Sequence, residues 1–164
     1  MDEKLEVGVR KAVRSDAAAL VRFNVAMAAE TEGKKLSVAV LSAGVESVFD
    51  DPSKGFYVVA EEGGRPLGSL LVTPEWSDWR NAYFWWIQSV YVDPASRKRG
   101  VYGCLHRWVE DAARAAGNVC GLRLYVDADN AAARSVYERM GMSRSRYDFF
   151  ESLPRAGGGR GKDD

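Results

Sequence analysis

Val90-Tyr91-Val92-Asp93-Pro94-Ala95-Ser96-Arg97-Lys98-Arg99-Gly100-Val101-Tyr102-Gly103-Cys104-Leu105 is the stretch that decides the fold. It opens as an apolar strand, turns at Pro94, runs through a basic loop holding Gly100 and enters a helix. The apolar residues of that helix fall at Val101, Leu105, Trp108, Val109, Ala112 and Ala116, the spacing of one helical face. A helix start leaves its first backbone N–H groups without intrahelical partners and carries the positive end of the helix dipole. Arg97, Lys98 and Arg99 place cationic side chains beside those donors. Such a junction is built to hold a phosphate or pyrophosphate.

The segments on either side fill out an α/β chain. Upstream, Tyr83 to Val92 reads as one long strand. Before it, Phe56–Ala60 and Leu67–Val72 form a strand pair around Gly63-Gly64, which supplies the positive φ values of a tight hairpin. Leu5, Val7 and Val9 alternate with polar residues and predict a half-buried first strand. Ser15 or Asp16 is placed to cap the helix that follows, which runs out near Glu30-Thr31-Glu32-Gly33. Ser37 starts a second helix with Val38, Leu41, Val45 and Val48 on one face, and Asp51-Pro52 ends it. Trp76 to Asn81 reads as a loop. Downstream lie a strand at Leu122–Val126, a helix at Asn130–Met140 closed by Gly141, and a last strand near Arg146–Phe150. Pro154 to Asp164 is Gly-rich and charged, the composition of a disordered tail.

Composition narrows the function classes. A chain of 164 residues with 46% hydrophobic content forms one folded domain, taken as residues 1–153. Lys+Arg and Asp+Glu are both 23, so no general basic surface for nucleic acid is present. Cys104 and Cys120 lack metal-ligand spacing, and with His106 the only histidine the sequence argues against a zinc site. No apolar run has the length of a membrane span and the N-terminus lacks a signal-peptide core. A reduced, cytoplasmic setting fits.

Two motifs carry a family resemblance. Arg97-x-x-Gly100-x-Tyr102, entered from Val90-Tyr91-Val92, resembles the acyl-CoA loop of the GCN5-related N-acetyltransferase (GNAT) superfamily, Arg/Gln-x-x-Gly-x-Gly/Ala. Tyr102 departs from the final small residue, and a glycine, Gly103, follows it. Asn130-x-x-Ala133-x-x-x-Tyr137-x-x-x-Gly141-Met142 resembles the family's Asn-x-x-Ala-x-x-x-Tyr-x-x-x-Gly-Phe, with Met142 replacing the aromatic. The resemblance spans residues 5–150. It implies a mixed central sheet with helices on both faces in the order β-α-α-β-β-β-α-β-α-β. It also implies acetyl-CoA as co-substrate, no metal, and direct transfer of the acetyl group to an amine of a small molecule or peptide. A second copy of the chain is a partner it allows. The rival reading, from another class, is a non-catalytic CoA-binding sensor.

The resemblance also assigns residues. Val90 and Val92 offer backbone groups to the pantetheine where two strands splay, in the manner of an added strand, while their side chains serve the core. Arg97, Lys98, Arg99, Gly100, Val101, Tyr102 and Gly103 surround the pyrophosphate. Ala133 and Asn130 lie against the cofactor, although Asn130 suits a helix cap equally well. Tyr137 aligns with the family's general acid. A phenol near pKa 10 gives its proton to a thiolate whose thiol has pKa about 8.5, only slightly uphill. The bland role for Tyr137 is packing.

The incoming amine is harder. An ammonium of pKa about 10 lies roughly 4 kcal/mol from its nucleophilic form at neutral pH. Many members carry a glutamate where this chain has Gln88, and a neutral amide is no base. Gln88 is left to position a water or pair within the sheet. Glu30 and Glu32, where the first helix meets the second, are the alternative: acceptor-binding carboxylates, with Glu30 relaying the proton, or else a solvated turn. Trp79 and Arg80 are placed to read a cation and a carboxylate on the acceptor. Trp85 and Trp86 must face opposite sides of their strand, so at least one is core. His106 falls beside Glu110 and Arg114 and is expected to be solvated.

Overall fold

Strand β1 (Gly8–Lys11) opens the fold in the computed structural model, which describes residues 6–154. The contribution expected of Leu5, and the tail from residue 155 onward, lie outside the described residues. A short 3-10 turn (Arg14–Asp16) leads into α1 (Ala17–Glu32), then α2 (Val38–Asp50), β2 (Phe56–Glu62), β3 (Arg65–Ser77), β4 (Ala82–Val92), α3 (Val101–Ala116), β5 (Val119–Arg123) and α4 (Ala131–Arg139). The chain divides into two compact units between Asn130 and Ala131.

The first unit is a sheet in the order β1-β2-β3-β4-β5. The first four strands are antiparallel neighbours, and β5 joins β4 in parallel. Alternation along β2 and β3 feeds two cores. Tyr57, Val59 and Leu71 face α1 and α2, where they meet Leu20 and Val45. Val58, Ala60, Leu70, Val72 and Ile87 face α3, where they meet Val101, Leu105 and Val109. Full burial of a side chain such as Leu105, 0% exposed, contributes about 2–3 kcal/mol. The helices therefore lie on both faces, as expected.

Several local expectations hold. Ser37 caps α2 by accepting from the Val40 N–H. Gly63 and Gly64 turn the β2–β3 hairpin at φ 57° and 77°. Trp85 packs in the α3-side core, edge-on to Phe56.

Others need correction. Asp16 does not cap α1 with its side chain. Its carboxylate turns back to accept from the Val13 N–H and from both ends of the Arg10 guanidinium, because a charged partner outcompetes a lone N–H. Trp76 is not in a loop. Strand β3 runs on to Ser77, and Trp76 pairs with Tyr83 across the hairpin, ring centroids 5.0 Å apart, leaving only 78–81 as turn. That cross-strand aromatic contact outweighs the turn-forming Pro74 and Asp78. Strand β5 ends at Arg123 rather than Val126.

The second unit, described through residue 154, holds α4. Its half-buried residues Ala133, Val136, Tyr137 and Met140 share one helical face, and Gly141 ends it at φ 86°, donating to Glu138. No strand forms at Arg146–Phe150. Tyr147, Phe149 and Phe150 are mostly exposed, and among the described residues no strand pairs with them.

Candidate active site

The middle of the site is strand β4, and two irregularities in its pairing define it. On the β3 side the register jumps between Leu71↔Gln88 and Ser69↔Tyr91, so Leu70 faces both Ser89 and Val90. This is a β-bulge, and Ser89 carries φ 50° to make it. On the other side β5 pairs with β4 only as far as Trp86↔Arg123. Beyond that point β5 has ended, so among the described residues no strand lies along the β5-side edge of Ile87–Val92. The Val90 main-chain groups and the Val92 N–H on this edge are available to an extended ligand that adds as a strand, while Val92 O already accepts from Arg97.

The edge leads straight to the helix start. A turn follows, with Asp93 accepting from the Ala95 N–H. Lys98 lies at φ 62° and Gly100, the residue before α3, at φ 78°. Glycine suits that left-handed position because it carries no Cβ. The first helical hydrogen bond runs from the Cys104 N–H to Gly100 O. The N–H groups of Val101 and Gly103 therefore belong to the donor end of α3, where intrahelical partners run out. Two of the three non-glycine residues with positive φ, Ser89 and Lys98, flank this path, and strained backbone of that kind collects at functional sites.

The flanking cations are not what the sequence led one to expect. Arg97 donates through Nε to Val92 O at 2.9 Å and through Nη2 to Glu30 Oε2 at 2.6 Å, with its guanidinium over the Tyr91 ring. Arg99 pairs with Glu62 at 2.5 Å. Among the described residues only Lys98 of the three has no ion pair. The charge left to a phosphate is nearer one than three, and the backbone donors carry the larger share of the site.

Glu30 is thus brought to the loop. The Arg97 guanidinium, and then the Tyr91 hydroxyl at 2.9 Å, hold its carboxyl below the usual carboxylate range. That is the opposite of what a base working near neutrality needs. Burial and the hydrogen bond to Glu30 raise the Tyr91 phenol. Glu32 pairs with Lys34 at 3.1 Å in an exposed turn. Trp79 is 89% exposed, and Arg80 stacks its guanidinium over Phe84 at 5.1 Å. Among the described residues no hydrogen bond or ion pair joins Glu30 or Glu32 to Trp79 or Arg80. Gln88 donates through Nε2 to Thr73 Oγ1 at 2.5 Å, which leaves its Oε1 to accept from a water or an amine. Asn130, just before α4, donates its N–H to Asp127 O. On α4, burial raises the Tyr137 phenol above its ordinary value, which makes it a weaker acid than a free phenol.

His106 overturns its expectation. It is 1% exposed, its Nδ1 lies 3.0 Å from the Tyr102 hydroxyl, and burial pushes its pKa down. The buried stripe of α3 is wider than the apolar residues alone trace, because His106 sits one turn from Tyr102 and three residues before Val109. Tyr102, where the family has a small residue, is thereby tied to its own helix. Thr73, Tyr91 and Glu62 are partners the sequence did not single out. Each is distant in sequence from the residue it holds, except Tyr91 beside the loop, and is brought to it only by the fold. Among the described residues no group of metal-ligating side chains could hold an ion, and no helix is long and apolar enough to cross a membrane.

Comparisons with known proteins agree with this geometry. The family described as Acetyltransferase (GNAT) matches residues 25–142. The crystal structure of a possible acetyltransferase from Clostridium difficile 630 is 36% identical, with a TM-score of 0.86 over 93% of this chain and 100% of that one. A GCN5-related N-acetyltransferase from Ralstonia eutropha JMP134 shares the fold at 24% identity, with a TM-score of 0.69 over 93% of this chain and 100% of that one. Comparison with curated proteins gave no match. With a family match across most of its length and a similar structure covering nearly all of it, the chain belongs to the GNAT family of acetyltransferases.

Proposed function

We propose that this acetyltransferase moves an acetyl group from acetyl-CoA to the amine of a small molecule by direct attack, without a covalent enzyme intermediate. The observation that carries the reading is the open edge of β4 running into the donor end of α3. The residues present fit the co-substrate. The Val90 main-chain groups and the Val92 N–H suit pantetheine amides, and the N–H groups of Val101 and Gly103, with Lys98, suit a pyrophosphate. Acetyl-CoA, when bound, would supply the thioester, with the CoA thiolate as its leaving group.

The chain's own tasks are then three. The β4 bulge sets the carbonyl in place. The Oε1 of Gln88, fixed by Thr73, accepts from the amine or its water and orients the lone pair. Tyr137, a phenol protonated at neutral pH, would give a proton to the leaving thiolate, the role its place in the family pattern implies. The amine's own proton leaves to water, since Glu30 is engaged by Arg97. The test is calorimetric titration with CoA, joined to acetyl transfer from acetyl-CoA across a panel of small amines and peptides. Micromolar-range CoA binding with turnover on a small amine is the expected result. CoA binding with no turnover on any amine assigns the chain to a sensor role, and no CoA binding overturns the reading.

A further inference from the structure

Beyond Gln88, the same face of the sheet carries a cluster that the chemistry above does not use. Side chains alternate along β4, so Phe84, Trp86 and Gln88 point to one side. Register sets Glu75 of β3 opposite Phe84 and Arg123 of β5 opposite Trp86. The Phe84 ring lies over the backbone of Gly121: a Cβ there would stand 2.9 Å from a ring carbon. Arg123 holds its guanidinium 3.5 Å from the Phe84 centroid and donates onward to Glu75 Oε2 at 2.9 Å. To reach β3 from β5 it must cross β4 on the outer side of that ring. Arg80, from the β3–β4 turn, sets its guanidinium 5.1 Å from the same centroid. Trp86 Nε1 donates to the same Glu75 oxygen at 2.8 Å.

Two guanidinium groups thus share the Phe84 ring, but only Arg123 has a carboxylate partner, Glu75; among the described residues the charge of Arg80 has no ion pair. Arg123 has a side chain only 33% exposed, so its charge is less screened than that of a free surface arginine. Its planar fork suits a carboxylate. Its place in the fold gives it a function: Arg123 is the last β5 residue paired with β4, at the mouth where the open edge begins.

We propose that Arg80 and Arg123 form a subsite for a carboxylate carried by the same molecule as the acceptor amine. The proposal rests on the acetyl-transfer reading. Gln88 and the Ser89 bulge lie two and three residues from Trp86 along β4, roughly 7–10 Å. The acceptor therefore spans about that distance between amine and carboxylate, as an extended ω-amino acid or a short peptide does.

The test compares 6-aminohexanoate with hexylamine, which offer the same amine with and without the anion. Steady-state kinetics is paired with calorimetric titration of each compound into the protein holding CoA. Wild type favours 6-aminohexanoate in kcat/KM by about fivefold or more, and the preference shrinks as salt rises. Arg80→Gln and Arg123→Gln erase it by raising KM for 6-aminohexanoate several-fold more than KM for hexylamine or for acetyl-CoA. Glu75→Gln frees Arg123 and lowers the KM for 6-aminohexanoate; a purely structural role for the cluster predicts the reverse. Equal use of both acceptors by wild type, or variants that lose both together, overturns the subsite. If no amine is acetylated the transfer reading falls, and the titrations still decide the subsite: tighter binding of 6-aminohexanoate that Arg80→Gln abolishes upholds it, and equal binding ends it.

Discussion

The two halves of β4 do opposite things. From Ala82 to Trp86 the strand is paired on both sides, and what it presents is side chains: Phe84 beneath two guanidinium groups, Trp86 hydrogen bonded to Glu75. From Ile87 to Val92 the strand is bulged on one side and, among the described residues, unaccompanied on the other, and what it presents is main chain. One strand can thus hold two ligands of unlike chemistry. Backbone groups bind any chain of amides, whereas side chains select. The acetyl donor, on the proposed reading, meets the half with no choice of residue, and the acceptor meets the half where every alternate position is free to vary.

Two substitutions break this division at its strongest points. Neither half of β4 supplies an acid, so Tyr137→Phe on α4 isolates the chemical step. It removes a hydroxyl and keeps the ring, and kcat should fall by roughly a hundred- to ten-thousand-fold with CoA affinity unchanged. Stopped-flow acetyl transfer with parallel calorimetry reads both; near-normal turnover would return Tyr137 to packing. The second concerns the main-chain half. Gly100→Asp sets a negative charge at the open end of α3 and strains a position at φ 78°. No atom lies within 4 Å of the Cβ it adds, so the fold survives. CoA affinity should drop roughly ten- to a hundredfold, a charge-assisted contact turned repulsive. Gly100→Ala, with the strain and no charge, should lose much less.

The same division explains what the sequence made legible. A site built of main chain leaves its mark in residues that permit a backbone shape, so Gly100 and the basic turn before it were readable from spacing alone. The apolar spacing of α3 marks its buried face, while helices on both faces of the sheet are what the family resemblance implies. The side-chain half left no such mark. Glu75, Arg80, Phe84 and Arg123 are ordinary residues until register brings them together. Trp76 was misplaced because Pro74 and Asp78 look like a turn, while its partner Tyr83 is distant in pattern and near in space. His106 was misread because a polar side chain on a helix counts as surface until a hydroxyl one turn away satisfies it in the interior. The expected strand at Arg146–Phe150 is not formed among the described residues, and local sequence alone does not report strand pairing.

Glu30 gives the smallest effect and the sharpest test, because it ties α1 to the loop that follows the main-chain half. Its carboxylate holds Arg97, which in turn holds Val92 O and covers Tyr91. The sequence placed Glu30 on the acceptor side, where its loss would raise the acceptor's KM and spare CoA. The geometry predicts otherwise. Glu30→Gln keeps the shape and removes one negative charge beside the loop, releasing Arg97 toward an incoming phosphate. CoA should bind about two- to fivefold tighter at low salt, with the gain fading at high salt because both side chains are substantially exposed. The pH dependence fixes the sign. A carboxyl whose folded pKa is depressed contributes its stabilisation above the ordinary carboxylate range and loses it as pH falls through the lowered value. Between pH 6 and 9 the ion pair is intact, so wild type and Glu30→Gln should share one pH–rate profile and one kcat within about twofold. Glu32→Gln should alter nothing, its partner being Lys34 in a solvated turn. A fall in kcat of tenfold or more in Glu30→Gln, with an upward shift of the pH optimum and unchanged CoA affinity, would make Glu30 the proton acceptor after all, and would mean that Arg97 lets it go when the donor binds.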